Sequence, residues 1–550
     1  MSMIFQSSFY QTKRILLVDD CEPIRASIRG MLQQIGFEHI TAVADASAAL
    51  EKAELHSFDF ILADFQLGDG LNGAQLFDAL KKRELLKAGC CFVLLSAETM
   101  RQPVFGLCER QPDCYIQKPF TYLTLEKRLA RAIQQRLVVR KVFQALPDAP
   151  AEALAECDRV VRETPAYALY ALRLKGELLL RHQQPKLAAH LYQQILQSRE
   201  LSWALLGHAI AQFQLEELEK AGSLLTVLSK AEETRPEALD WLIRLALRQQ
   251  QPEQALALCQ DLARALPQSV EVLQVQATLA CLSQQPDEAI RCWQKASQQH
   301  RYSVLDSAQH YLNPARMLLL KAMQSKSLKL SPLLSKAEES LQLLPKRFFT
   351  EALQPELLLV QARIALLQGK LQQAKQWLAS AEQSDIASCS VEANIDLAWL
   401  KLAMADVKQA EAVMERLLHH AFADDLTGAV ELAYSQHWQQ QIPALWKTAK
   451  ALMQQGQVNY REQSLNQALS RLWQAFLYVP GNSQLALSLW QTLASLPASP
   501  KLQAAAATLC QTLQQSQLEP VSQQRFAVLH QQLSAHYKLP ALTLSSAASG

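Results

Sequence analysis

Glycine is scarce in this chain, with 15 in 550 residues. Leu, Ala and Gln dominate after the first third, and these are good helix formers. Net charge is also nearly absent, at +2 from 54 basic and 52 acidic residues. So balanced a chain has no global field to hold nucleic acid or an anionic membrane. It contains no helix-turn-helix with a basic recognition helix, no aromatic-basic strand motif and no Gly-rich phosphate loop. Eleven cysteines include no CxxC pair and no zinc-type spacing, and the odd count argues against a disulfide framework. They read as small apolar core residues in a reducing compartment. No apolar run approaches the ~20 residues needed to span a bilayer. The opening MSMIFQSSFYQTKR has no signal-like apolar core followed by a cleavage site, so the cytoplasm is the expected location. What is present is apolar content of 49%, enough for extensive cores.

Residues 13–135 differ from everything after them. Short apolar runs at Ile15–Val18, His39–Val43, Asp59–Ala63, Cys91–Leu95 and Cys114–Ile116 read as strands. Between them, Glu22–Ile35, Asp45–Leu55, Asn72–Lys87, Met100–Glu109 and Thr121–Gln135 read as helices. Strict alternation predicts an α/β fold with a five-stranded parallel sheet and right-handed crossovers. The continuous apolar strands imply helices on both faces. Residues 1–12 are expected to be a tail. Residues 136–150, with Pro147 and Pro150, read as a linker or an extension of the last helix.

From residue 151 to about 540 the strand signals vanish and a period emerges. Ala188, Ala221, Ala255 and Ala289 lie 33, 34 and 34 residues apart, each near the start of an amphipathic helix. Turn-forming QQPK, QQPEQ and QQPDE precede three of them. The unit Pro236–Pro267 places Leu239, Leu242 and Ala246 on one helix and Ala255, Cys259 and Leu262 on the next. Ala374, Ala410 and Ala468 mark further units, and the register is disturbed around 302–344. The pattern resembles the tetratricopeptide repeat (TPR), in which a small residue lets paired helices approach closely. An α-helical, TPR-like solenoid is therefore expected. The nine tryptophans read mostly as core fillers, and residues 541–550 as a disordered tail.

The chemistry lies in the first region. Asp19 and Asp20 end strand one and Asp64 ends strand three, at the sheet edge where open parallel sheets bind ligands. Three converging carboxylates favour a hard divalent cation, and Mg²⁺ suits oxygen ligands. Ser96 ends strand four and Lys118 follows strand five. The stretches ILLVDDCEPIR, DFILADFQLGDGLNGAQL, VLLSAE and CYIQKPF resemble the response-regulator receiver domain, whose fold is flavodoxin-like and doubly wound. The resemblance implies that Asp64 accepts a phosphoryl group from a sensor histidine kinase. It implies that Asp19, Asp20, Asp64 and the Gln66 backbone carbonyl hold Mg²⁺, and that Lys118 and Ser96 contact phosphoryl oxygens. Tyr115 matches an aromatic that changes rotamer on activation, and Lys118–Pro119 a cis peptide. The loop FQLGDGLNG departs from the family, which often has proline at Gly68 and one residue fewer before Gly73.

These readings describe a two-component response regulator that is not otherwise an enzyme. Its helical array would bind client proteins as the output, without DNA-binding or membrane insertion, and a homodimer is compatible. An auxiliary regulator that binds its kinase and competes for phosphotransfer is the alternative. A scaffold with a vestigial receiver, and a Mg²⁺ phosphohydrolase using Asp64, are further options.

Overall fold

The computed structural model describes residues 7–542 apart from 69–70, 88, 97–111, 147, 268, 302–304, 420 and 540. The expected helix Met100–Glu109 therefore lies outside the described residues, as does most of the expected C-terminal tail. The chain divides into two compact units. One comprises Met1–Leu245 with Arg264–Pro267 and His300–Leu305; the other comprises Ala246–Ala263, Gln268–Gln299 and Asp306–Gly550.

The first unit opens with helix α1 (Ser7–Gln11), then β1 (Arg14–Val18), α2 (Glu22–Ile35), β2 (His39–Val43), α3 (Ala46–Leu55), β3 (Phe60–Asp64) and α4 (Gly73–Lys82). It continues with β4 (Cys91–Ser96), β5 (Cys114–Gln117) and α5 (Tyr122–Val138). The strands pair in parallel, in the order β2-β1-β3-β4-β5. Period-two alternation sorts each strand between two cores. Ile15 and Leu17 join Leu32 of α2 and Leu129 of α5, whereas Leu16 and Val18 join Leu50 of α3 and Leu80 of α4. Cys90 and Cys91 fall on these opposite faces, both buried. Residues expected to form a tail instead form α1, whose Tyr10 is fully buried in the α2/α5 core.

Helix termini follow local chemistry. Asp45 caps α3 by accepting from the Ala48 N–H, Thr121 caps α5, and Asn72 with Gln75 makes a capping box at α4. α4 ends five residues before the expected Lys87. Glu84 takes a left-handed φ of 56° and the Leu85 N–H reaches back to the Leu80 carbonyl at 2.8 Å, which closes the helix.

One residue beyond α5, α6 (Arg140–Ala145) begins a wholly helical run: α7 (Pro150–Glu163), α8 (Ala168–Arg181), α9 (Pro185–Ser198), α10 (Ser202–Gln214), α11 (Leu218–Leu228) and α12 (Arg235–Arg248). From α6 to α11, successive helices pack on one another. Tyr192 of α9 is fully buried beside Gly176 of α8 and Gly207 of α10, where an added Cβ would lie 2.5 and 2.3 Å from its ring.

The run continues with α13 (Pro252–Ala265), α14 (Val270–Leu282), α15 (Pro286–His300), α16 (Gln309–Gln324), α17 (Ser331–Gln342), α18 (Gln354–Leu367) and α19 (Leu371–Ala381). It ends with α20 (Val391–Ala403), α21 (Val407–Leu418), α22 (Leu426–Arg461), α23 (Leu465–Tyr478), α24 (Ser483–Ala494), α25 (Gln503–Gln514) and α26 (Pro520–Ser534). Within the second unit the 36-residue α22 packs on α14, α20, α21, α23 and α24. The register gap in the sequence is filled by the pair α16 and α17, whose buried Ala337 is the missing small residue. Its turn, 325–330, is longer than the three-residue turns within the other pairs, and with the 301–308 connection and the 16-residue α16 it displaces the period.

The repeat has a second signature that composition conceals. Gln183, Glu216, Gln250, Gln284, Gly369, Ala405 and Gln463 all have positive φ, between 55° and 85°. Each stands five residues before a fully buried alanine: Ala188, Ala221, Ala255, Ala289, Ala374, Ala410 and Ala468. In every case the following N–H bonds a carbonyl five residues back, as from Gln251 to Ala246 at 2.9 Å and Asp406 to Lys401 at 2.9 Å. This left-handed cap stops the first helix of each pair, and three times a proline then starts the second.

Candidate functional site

The parallel register sets the carboxyl ends of β1, β3, β4 and β5 side by side. Val18 pairs with Ala63, Asp64 with Leu95, and Ser96 with Gln117. Chain direction then delivers Asp19, Asp64, Ser96 and Lys118 to one edge. Ligand oxygens of Asp19, Asp20 and Asp64 lie within 4.8 Å of one another. Asp19 is fully buried, Asp64 partly so and Asp20 exposed.

Lys118 joins two of the three. Its Nζ lies 2.8 Å from Asp19 Oδ2 and 3.1 Å from Asp64 Oδ1. Burial disfavours the ammonium charge, but hydrogen bonds to Asp19 and Asp64 outweigh it and hold the Lys118 pKa above its ordinary value. Asp64 is shifted up, first by burial and also by the Asp19 charge, against the lowering pull of Lys118 and of the Phe65 N–H. The Lys118 N–H donates to the Ser96 carbonyl at 2.6 Å, and the Lys118–Pro119 peptide is cis.

Three supporting contacts went unread in the sequence. The Cys21 N–H donates to Asp19 Oδ1 at 3.0 Å, and Arg25 Nη1 donates to the Asp19 carbonyl at 2.5 Å. Arg25 in the first turn of α2 was visible in CEPIR, but no pattern tied it to Asp19. At Gly73, an added Cβ would stand 2.2 Å from the Asp64 carbonyl oxygen and 2.6 Å from Leu94 Cδ2, so only glycine fits. The loop departure also has a reason. Gly68 has φ of 70°, closed to the proline ring, and lies over Asp20.

The other expected residues are placed as follows. Gln66 is exposed two positions beyond Asp64. Ser96 is buried at the end of β4, one residue past the register partner of Asp64. Tyr115 lies half-buried against the α3/α4 core, away from the Asp19–Lys118–Asp64 contacts. Burial, then the Asp78 charge, push its hydroxyl up to about 12.

An all-oxygen donor set with a buried carboxylate and one exposed member fits a hard, partly hydrated cation such as Mg²⁺. Among the described residues, no helix is long and apolar enough to cross a membrane.

Residues 15–130 match the family described as "Response regulator receiver domain". The chain is similar to chemotaxis protein CheY-3 of Vibrio cholerae, 28% identical over 122 residues, which cover 22% of this chain and 92% of that protein. It is 27% identical to chemotaxis protein CheY of Pseudomonas aeruginosa over 122 residues, 22% of this chain and 97% of that one. A tetratricopeptide repeat protein from Parabacteroides merdae superposes on 49% of this chain and 98% of its own, at 17% identity and a TM-score of 0.30.

Proposed function

Residues 15–130 are a response-regulator receiver domain, and from that premise we propose that Asp64 is the phosphoacceptor of a two-component response regulator whose helical array is the output. The observation that carries the reading is the partly buried Asp19–Lys118–Asp64 bridge at the carboxyl edge of the sheet. An Asp64 oxygen attacks phosphorus as the bond to the donor histidine nitrogen breaks, which leaves an acyl phosphate on Asp64. Lys118, already within hydrogen-bonding reach, turns from the carboxylate to the incoming phosphoryl oxygens and offsets their charge. Mg²⁺ held by Asp19, Asp20, Asp64 and the Gln66 carbonyl would neutralise further phosphoryl charge when bound. Ser96 would donate its hydroxyl to a phosphoryl oxygen, and Tyr115 would respond by changing rotamer.

The added charge, about −1.5 to −2, is the signal. The partners in this reading are a sensor histidine kinase and client proteins on the stacked helices, in the cytoplasm. Stacked helix pairs form extended surfaces suited to protein binding. Incubation with acetyl phosphate and Mg²⁺, read by intact mass, tests the acceptor. One added phosphoryl group that is absent from Asp64→Ala is expected, and no added mass on the wild type would refute the reading.

A further inference from the structure

The second unit contains a half-open cavity of about 330 Å³ whose acidic side chains outnumber its basic ones. Its wall includes Glu392 of α20 and Glu431 of α22, with Trp293, Gln274, Gln309 and Ser390. Among the described residues that line it, none is Lys, Arg or His.

His310, which contacts Gln274 at 3.0 Å and the Trp293 ring, sits 3.2 Å from Asp306, and two arginines of the same unit are committed to other acids. Arg316 gives Nε to Asp396 at 2.7 Å, Nη2 to Glu356 at 3.1 Å, and Nη1 to Gln309 and Asn313, each at 2.7 Å. Arg363 also binds Asp396. Arg316 and Arg363 thus ion-pair with Asp396 and Glu356. Among the described residues neither Glu392 nor Glu431, the two acids that line the cavity, is within ion-pair distance of a cation, although the Arg316 charge still acts on Glu392.

Burial raises the Glu392 carboxyl, against the Arg316 charge, its own backbone N–H and Asn313, which donates to Oε1 at 3.2 Å. Among the described residues the Glu431 side chain has no partner; burial first, then the charges of Glu392 and Asp425, raise its carboxyl to about 7. A carboxylate shielded from water and facing another acid is costly, and a pocket with convergent polar groups is the usual form of a ligand site. The cavity is too large for one bare metal ion. Trp293 adds an aromatic group to the wall, of the kind that attracts an alkylated cation.

We propose that this cavity binds an organic cation, an alkylguanidinium or alkylammonium group, between Glu392 and Glu431. The group belongs either to a free amine or to a basic side chain of a client peptide. In the second case the inference deepens the protein-binding reading of the array, and it can be tested apart from phosphorylation.

The test is calorimetric titration of the full-length protein, without phosphodonor, with agmatine and with acetyl-Gly-Arg-Gly-amide. Saturable agmatine binding is expected, weakened at least tenfold in Glu431→Gln and in Glu392→Gln. Binding of the peptide as well assigns the group to a side chain, and its exclusion assigns it to a free amine. Thr278→Lys, on α14 in the same wall, tethers an ammonium in place. It should raise the thermal midpoint and abolish agmatine binding, which holds the test open should either glutamine variant misfold. Absence of binding by both probes, or binding that survives both glutamine variants and Thr278→Lys, overturns the proposal. Either result leaves the mass assay on Asp64 untouched.

Discussion

Asp19 has no solvent exposure, so the cost of its charge depends on what touches it. The Cys21 N–H and Lys118 are what the structure supplies. Removing Lys118 leaves one buried and one half-buried carboxylate facing each other. Lys118→Ala is expected to slow phosphorylation by acetyl phosphate at least tenfold, followed by mass against time; an unchanged rate would remove the lysine from the mechanism. Glu431 gives a second prediction at this scale. Its folded pKa of about 7 lies above the ordinary 4.5. The folded state therefore binds that proton more tightly than the unfolded chain does. The stabilisation is full below about pH 4.5 and fades as pH rises through 7. The groups that oppose its ionisation are Glu392 and Asp425. Glu431→Gln should thus match the wild type near pH 4.5 and exceed it at pH 8. The gain is on the order of 1 kcal/mol, discounted because Glu431 is only partly shielded from water. Urea unfolding at the two pH values checks it; a gain of equal size at both would point to a cause other than titration.

At the scale of the element, the left-handed caps divide into two kinds. Six of the seven are non-glycine residues in a conformation that disfavours a Cβ. Gln250→Gly is therefore expected to stabilise the fold by about 0.5–1 kcal/mol in urea unfolding, since glycine's own entropy offsets part of the relief. Gly369 is the exception in kind as well as identity. An added Cβ there would meet the Thr508 carbonyl oxygen of α25 at 2.4 Å. Gly369→Ala should cost about 2 kcal/mol or more by the same measurement. If both substitutions proved neutral, φ would not be what limits these turns. These caps also mark how far the sequence could be read. The period was legible because the buried alanines are small for a packing reason, and the five strands because short apolar runs alternate with amphipathic segments, two of them ending in carboxylates. The αL residues were not, because Gln and Glu carry no bias toward positive φ and glycine appears at only one of the seven. Ala337 was missed since longer connections and a longer α16 break the spacing, not the packing. At the receiver edge the five chemical side chains stood out by type, whereas Gly73 serves by having no side chain and Arg25 acts through a backbone carbonyl.

For the molecule as a whole, what matters is where the receiver's stability stops. The sequence places its end at residue 135, but within the first unit the supporting contacts run past it. Arg136 Nε lies 2.6 Å from Asp113 Oδ1, and Asp113 in turn accepts the Phe92 N–H of β4 at 2.8 Å. The guanidinium also stacks over the Phe143 ring of α6, with 5.2 Å to its centroid. Farther along, the Tyr167 hydroxyl donates to Gln134 of α5 at 3.2 Å. Burial, the first cause, pushes the Asp113 carboxyl up, while Arg136 pulls it back. A chain cut at 135 keeps the acid beneath β4 and β5 and loses its cation. Breaking a buried pair from one side costs about 3–5 kcal/mol, and the partial exposure of Arg136 brings this to about 2–3. A fragment of residues 1–135 should therefore unfold at markedly lower urea than one of residues 1–146. Arg136→Met in the longer fragment should reproduce most of the loss, which separates the ion pair from the packing of α6. Equal midpoints for the two fragments would mean that the receiver is complete at 135. A large difference would mean that α5 and α6 share one folding unit with the sheet.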